Sequence, residues 1–488
     1  MPATADQPPQ VLSPNSVLAN ALLRTIDMIR PKVVASRPGR IVFVVGTQIN
    51  GAPHLGTNIV QTSAFLLAKL ARRAFSVETA VRFSALDNAP HQVTLDPETH
   101  RAYQITYFHA LGKDGITELI ERYYRTFFDS LSDATDTEYE LDTYTAQQET
   151  PAYRTEFLRS LERFDAIRWW LSPSTGIVHT RLPCPTCGWA EKRAEATRLI
   201  RVDDDGAIFT AVCYEHGDYE VCIDPVDGGY LDLATLYRNL IKERALVREQ
   251  GVEQGVLYVM VKGGDWAFGA QLVDGALLAL GTPAGEMPAR IFTPMVLSGS
   301  GAKLSKSLLR AAPDSPAHAG IQDWILSTTS WPGTTDQYAD ALIWLVNGLL
   351  TDPKHFYRSF TTSELGALMA QRPSDLAARE RAREMPIYKR YFDLIASGRK
   401  TVEVRVAYPS NKRLTSGHLL RFTCRGEQCL TRIRRVAYYS TFDEMFDHEN
   451  VAAVNPDASR SDQLASIRLI YPAEKEALGV IAIEVARV

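Results

Sequence analysis

The chain has 488 residues, too many for one hydrophobic core, so about three domains, or one large domain with a small companion, are expected. With 45% apolar and 23% charged residues its composition is that of a folded globular protein, which excludes a collagenous, coiled-coil or disordered chain. Its 53 basic and 57 acidic residues leave a net charge of −4, which gives no bulk electrostatic footprint for nucleic acid beyond a local patch. No stretch approaches the ~18–20 uncharged apolar residues of a membrane-spanning helix. Residues 1–16 have neither the basic nor the apolar segment of a signal peptide and are expected to be a disordered tail. Six cysteines do not make a disulfide framework, and a cytoplasmic protein with no membrane partner is expected.

In chain order, the apolar spacing of residues 17–29 predicts an entry helix. Residues 40–45, Arg-Ile-Val-Phe-Val-Val, form a continuous β-branched run, the mark of a strand covered on both faces. The run ends in a turn over 46–53 and passes into a helix over 55–73, and 76–85 reads as a second strand. Helices are expected over 103–131 and 150–170. Strand, helix and strand in this order open a Rossmann-like, doubly wound parallel sheet of the α/β class. A cysteine-bearing insertion occupies about 182–222, followed by a helix over 231–248, a buried strand over 255–262, a helix over 266–280 and a last strand over 290–297. The loop 298–308 comes next, then a helical stretch over 323–348 broken near Ser330-Trp331-Pro332-Gly333, and a helical linker over 371–385. Short alternating strands over 401–406, 419–423 and 430–437 predict a separate α+β or β-barrel-like domain. The expected division is an α/β domain over 17–308, a short helical region and linker over 309–385, and a small domain over 386–488.

Two loops carry candidate phosphate chemistry. Gly46 to Gly51 and then Pro53-His54-Leu55-Gly56-Thr57-Asn58 lie where the first strand meets the first helix. Exposed N–H groups and the helix dipole both favour an anion there, and His54 can donate to a phosphate oxygen. Gly299-Ser300-Gly301-Ala302-Lys303-Leu304-Ser305-Lys306-Ser307 follows the last strand, and its two lysines are compact charges suited to a polyphosphate. It lacks the spacing of a Walker A loop. Together, His54-Leu55-Gly56-Thr57 and Lys303-Leu304-Ser305-Lys306-Ser307 resemble the paired signatures of the class I aminoacyl-tRNA synthetases. The resemblance implies activation of an amino acid by attack of its carboxylate on the α-phosphate of ATP, with Mg²⁺ accompanying the nucleotide. It makes His54, Lys303 and Lys306 the catalytic candidates, with Gly46, Pro53, Gly56, Thr57, Asp265 and Ser305 as further ATP contacts. Gln48, Asn50 and Asp87 are the candidates for the amino acid. Thr57 departs from the family, which usually carries His or Asn there.

Cys184-Pro185-Thr186-Cys187-Gly188 and Cys213-Tyr214-Glu215-His216-Gly217 are two tight knuckles, each followed by glycine. That is how a zinc ribbon wraps a tetrahedral ion, and four ligands, Cys184, Cys187, Cys213 and His216, make the zinc structural. Cys222 is an alternative fourth ligand to His216. Such an insertion most resembles the archaeal-type class I lysyl-tRNA synthetases, which favours lysine or another basic amino acid as substrate. Gly263-Gly264-Asp265-Trp266 sits where those enzymes carry a Gly-Lys-Asp-His element, which implies contact of Asp265 with ribose or substrate.

The C-terminal segment contains Gly398, Lys400, Thr401, Glu403 and Arg405 in a Gly-x-Lys-Thr-x-Glu-x-Arg pattern, followed by a turn with Gly417. It resembles the ASCH superfamily, small β-barrels related to RNA-binding PUA domains, some of which hydrolyse N4-acylcytidines. Lys400, Glu403 and Arg405 are the acceptor-binding candidates, since a lysine beside a glutamate can read a base edge or move protons. Only about 60–75 residues separate the lysine loop from this domain, too few for a large helical anticodon reader. The sequence therefore leads to an ATP-dependent ligase that forms an aminoacyl-adenylate and passes the aminoacyl group to a cytidine-like nucleoside or other amine, with amide formation in specialised metabolism. Aminoacylation of tRNA or a tRNA-like RNA is the alternative, and an inactive RNA-binding paralogue a third reading.

Overall fold

In the computed structural model, residues 16–203, 205–250, 254–298, 301–304, 321–372, 382–412, 414–415 and 418–487 are described. The chain divides into two compact units, Met1–Gln371 and Arg372–Val488.

The first unit is built on five parallel strands, β1 (Arg40–Gln48), β2 (Glu78–Leu86), β3 (Tyr139–Thr143), β4 (Val256–Gly263) and β5 (Ala289–Thr293). Their spatial order is β5-β4-β1-β2-β3, so the strand order reverses between β1 and β4. Both faces of β1 are covered. Ile41, Phe43 and Val45 join the core that holds the helix Leu55–Phe75, while Val42 and Val44 pack with Leu246, Tyr258 and Met260 under the helix Thr235–Gln250. This two-sided burial is why the run is apolar throughout rather than alternating. Phe43, Phe65 and Phe83 are at most 1% exposed, each contributing ~1.5–3 kcal/mol by leaving water. The helix Leu55–Phe75 begins at His54 in an extended conformation and ends at Ser76 in the left-handed region, with Arg72 and Arg73 in its last turn beside the negative end of the dipole.

The structure departs from the sequence-based expectations in several places. The entry helix over 17–29 is broken into Ser16–Ala21 and a 3₁₀ turn Thr25–Ile29, after which Pro31 starts a separate helix, Arg30–Ser36. Residues 103–106, expected to be helical, belong to a strand (Ala102–Thr106) paired with Pro90–Leu95 and Ala190–Glu191, and Thr106 caps the following helix, Tyr107–Ile120. β3 is a half-exposed edge strand in which only Tyr139 and Leu141 pack on the core, an alternation too short to announce it. The strand expected over 290–297 stops at Thr293 because Pro294 has no N–H to donate, and Val296–Leu297 pairs with Phe360–Thr361 instead. The insertion carries a three-stranded antiparallel meander, Arg198–Asp203, Gly206–Cys213 and Gly217–Ile223.

The second unit is a mixed five-stranded sheet of β6 (Arg383–Pro386), β7 (Val402–Val406), β8 (Leu419–Cys424), β9 (Glu427–Tyr439) and β10 (Val480–Arg487), in the order β6-β8-β9-β10-β7. Phe392, Ile395, Phe422 and Ile483 form one of its cores, and Val404, Phe442, Met445 and Val480 the other. The helical linker expected over 371–385 is corrected at its end, where residues 383–386 are strand β6, parallel to β8; residues 373–381 lie outside the described residues.

Candidate functional site

The carboxyl ends of β1 and β4 open a cavity of about 350 Å³ at the point where the strand order reverses. Crevices at this point of an open α/β sheet are where ligands bind. Gly46 and Gln48 from the end of β1, then His54, Gly56 and Thr57 from the start of the helix Leu55–Phe75, line one side. His54 caps that helix: its Nδ1 accepts the Thr57 N–H at 3.4 Å, which leaves the ring proton on Nε2, 3.5 Å from the Thr57 hydroxyl. A Cβ at Gly56 would lie 3.0 Å from the His54 ring, so only glycine there leaves the imidazole in place. With Nδ1 accepting, Nε2–H is a donor beside the positive end of a 21-residue helix.

The opposite rim comes from the loop after β5. The segment closes on itself through Ser298 N–H to Ala302 O at 2.7 Å and Leu304 N–H to Val296 O at 2.8 Å, with Gly301 at φ +80° making the turn. This holds Lys303 against Asp265 of the turn after β4, and the two form an ion pair. The lysine is 48% and the aspartate 25% exposed, so the pair contributes only ~0–1 kcal/mol and Lys303 is readily transferred to a stronger anion. Ser305 and Lys306 lie outside the described residues.

Three other candidates are not brought to the cavity lining. Pro53 is buried, its carbonyl accepting the Thr328 N–H at 3.1 Å, and Asn50 lies on the turn beyond the lining. Asp87 is fully buried at the end of β2, where Oδ1 accepts the Thr145 N–H at 3.0 Å. Burial pushes its carboxyl up to about 6, against the hydrogen bonds from Thr145 and Thr143 that pull it down. Because the folded pKa exceeds the ordinary value of 3.8, ionisation costs stability as pH rises from about 4 to 6, and the cost is fully present above that. D87N is therefore expected to be more stable than the wild type by about 2–3 kcal/mol at pH 7, with the gap closing as pH falls to 4. Urea melts at both pH values check this, and a gap that does not depend on pH would refute it.

Sequence reasoning missed the far wall. Arg238, Asn239 and Lys242 point into the cavity from the helix Thr235–Gln250, with Lys262 beside them on β4. A run of polar residues at i, i+1 and i+4 usually marks a solvated face, and only the fold turns this one inward. Arg238 donates to Asn88 Oδ1 at 2.9 Å, and Lys262 to Asn239 Oδ1 at 3.1 Å and to Glu243 at 3.3 Å. Glu243 is itself consumed by Lys262 and Arg290; burial raises its carboxyl, but the two cations outweigh this and bring it down to about 2.

In the insertion, Cys184, Cys187, Cys213 and His216 bring one ligand atom each to within 4.8 Å of one another. Sγ of Cys187 and Cys213 are 3.4 Å apart, and His216 Nδ1 lies 3.7 and 3.6 Å from Sγ of Cys184 and Cys213. These separations match the edges of a tetrahedron with Zn–S of about 2.3 Å and Zn–N of about 2.0 Å, so the donor set fits zinc. Cys222 lies outside this cluster, exposed on the last strand of the meander and paired there with Ile208, so His216 is the fourth member.

In the second unit a cavity of about 380 Å³ is lined by Tyr391, Lys400, Glu403, Arg405, Asn455 and Tyr471 among others. Lys400 is 4% exposed and spends its three donors on Val402 O at 2.7 Å, Val454 O at 2.7 Å and Glu403 at 3.3 Å. Burial lowers its pKa, the Glu403 carboxylate opposing. Arg405 Nε meets the other Glu403 oxygen at 2.8 Å. Lys400 and Arg405 thus hold Glu403, which borders the cavity. Gly417 lies outside the described residues.

No curated protein matches the chain. Among solved structures, it is similar to glutamate-tRNA synthetase from Elizabethkingia anophelis (12% identity, 74% of each chain covered, TM-score 0.32). It is also similar to tyrosyl-tRNA synthetase from Archaeoglobus fulgidus (12% identity, 75% of this chain and 98% of that one, TM-score 0.29). A Pyrococcus furiosus protein solved by NMR shares 27% identity over 22% of this chain and 96% of its own, with a TM-score of 0.20. Residues 385–488, which include Lys400, Glu403 and Arg405, match the family model of the ASCH domain.

Proposed function

We propose that the first unit is an ATP-dependent ligase that activates an amino acid as its aminoacyl-adenylate. The observation that carries this reading is the convergence of His54 and Lys303, from loops 249 positions apart, on one cavity at the reversal point of the sheet. The amino-acid carboxylate attacks the α-phosphorus of ATP, a P–O bond forms, and the bond to the pyrophosphate oxygen breaks. Charge grows on the α-phosphoryl and pyrophosphate oxygens, where the His54 Nε2–H, the helix N-terminus and the Lys303 ammonium act. Mg²⁺ accompanies the nucleotide. Zinc, held by Cys184, Cys187, Cys213 and His216, serves structure, since four protein ligands leave no open position.

In this reading the acceptor is a cytidine-like nucleoside or nucleotide held by the ASCH domain. Its exocyclic amine, a hydrogen-bond donor, suits the Glu403 carboxylate at the border of that cavity. That amine attacks the aminoacyl carbonyl, AMP leaves, and the nitrogen loses a proton to give the amide.

ATP–pyrophosphate exchange with each of the twenty amino acids and with L-2-aminoadipate, run without RNA, tests the first step. Exchange driven by one amino acid supports it, and none with any refutes it. Mass spectrometry of reactions with cytidine compounds then tests the acceptor. Efficient charging of tRNA that is abolished by ribonuclease, with free nucleosides untouched, moves the acceptor to RNA.

A further inference from the structure

We infer that the far end of the adenylation cavity recognises a carboxylate on the side chain of the amino acid, with Lys242 as the residue that selects it. The inference rests on the adenylation reading and names its substrate class. Lys242 lies on the inner face of the helix Thr235–Gln250, is only 9% exposed and borders the cavity. Its Nζ makes no hydrogen bond or ion pair among the described residues. The neighbouring acid acts on it only through space: Glu243 opposes the fall in its pKa, but the Glu243 carboxylate makes its direct ion pairs with Lys262 and with Arg290, the latter at 2.7 Å. Lys262, Arg238 and Arg82 add positive charge around Lys242, and burial with the repulsion from Lys262 lowers its pKa to about 7. A buried ammonium without a directly paired counter-ion is costly, and a bound anion offsets that cost.

Position identifies which anion. The α-carboxylate must reach the α-phosphorus, so it belongs at the end marked by His54 and Lys303. Lys242 borders, together with Val44, Arg82 and Ser84, a second small hollow of about 40 Å³ against the face of the sheet. Val44 precedes Gly46 on β1, so Lys242 is set back from the strand ends where the phosphates bind. A cation there meets the substrate's side chain. Of the charged residues lining the cavity, Arg238, Lys242, Lys262 and Lys303 are cationic and only Asp265, paired with Lys303, is anionic. A lysine or arginine side chain would add a like charge to this wall, so the wall also selects against the basic substrate that the sequence resemblance suggested.

Calorimetric titration of the full-length protein with L-aspartate, L-glutamate and L-2-aminoadipate, against asparagine, glutamine and lysine, tests the inference. One of the three acids is expected to bind at least about 100-fold more tightly than its amide or lysine. K242M, which keeps the stem and removes the charge, should lose about 100-fold in affinity for that acid while melting no lower than the wild type. Failure of all three acids to bind, preferential binding of a neutral or basic amino acid, or undiminished affinity in K242M each overturns the inference. Acid binding without pyrophosphate exchange would instead overturn adenylation and leave the carboxylate site standing. Exchange driven by a neutral or basic amino acid would do the reverse.

Discussion

Replacing His54 by alanine is expected to lower kcat for amino-acid-dependent ATP–pyrophosphate exchange by about 10²–10³-fold, and replacing Lys303 by alanine to do likewise. Each removes a donor aimed at oxygens that gain charge as the pyrophosphate leaves, worth ~2.7–4 kcal/mol at the transition state. His54 also caps the helix Leu55–Phe75, and an alanine there costs ~0.5–2 kcal/mol of stability, too little to unfold the unit. H54N separates the two roles, because asparagine caps as well as any residue but holds its donor on a shorter stem. It should melt like the wild type and still lose most of the rate. K303A removes a half-exposed ion pair, so its melting temperature should not change. The split between constants is decisive: a rise in KM for ATP alone would mean uniform binding rather than transition-state stabilisation. Exchange rates equal to the wild type in both variants would end the adenylation reading.

The legibility of this chain followed the reach of local physics. β1 and β4 announced themselves because strands buried on both faces are apolar throughout, and the helix Leu55–Phe75 because its start is a turn with His54 and two glycines. The knuckles of the insertion were legible because a four-ligand cluster of cysteine and histidine is recognised by its spacing within a few residues. β3 was not, because its alternation is only Tyr139 and Leu141 against Glu140 and Asp142, too short to stand out from a loop. The strand Ala102–Thr106 was hidden by the helix that follows it at once, although Thr106, a good helix cap, was a signal of the boundary. The cationic wall of the cavity was hidden for a different reason. Arg238, Asn239 and Lys242 look like any solvated helix face until the sheet places them opposite His54 and Gly46. Asp87 shows the converse, a polar residue at a strand end that sequence assigns to substrate and the fold buries against Thr145.

Stripping zinc is expected to unravel the tip of the insertion while leaving the parallel sheet intact. Without the ion, three thiols and an imidazole within 4.8 Å of one another have only weak hydrogen bonds to offer, and nothing else ties the 184–188 knuckle to the 213–217 knuckle as strongly. Zinc bound by four such ligands is worth an apparent ~10–16 kcal/mol in small ribbons, comparable with the whole stability of a domain. The inner part of the meander has a second anchor, since Ala207, Phe209, Val221 and Ile223 are buried in the core shared with Tyr153, Phe157 and Tyr237. The outer strand Arg198–Asp203 has none, being exposed along its whole length. Amide exchange after chelation should therefore rise over residues 184–191 and 211–219, rise less over 206–209, and stay unchanged in β1 and β4. Metal analysis should find one zinc per chain in the wild type and in C222S, and none in C187S or C213S, whose melting should begin at a lower temperature. Loss of zinc in C222S equal to that in C187S would make Cys222 a ligand and overturn the assignment of His216. Protection at the knuckles that survives chelation would mean that packing alone, rather than the metal, holds the ribbon.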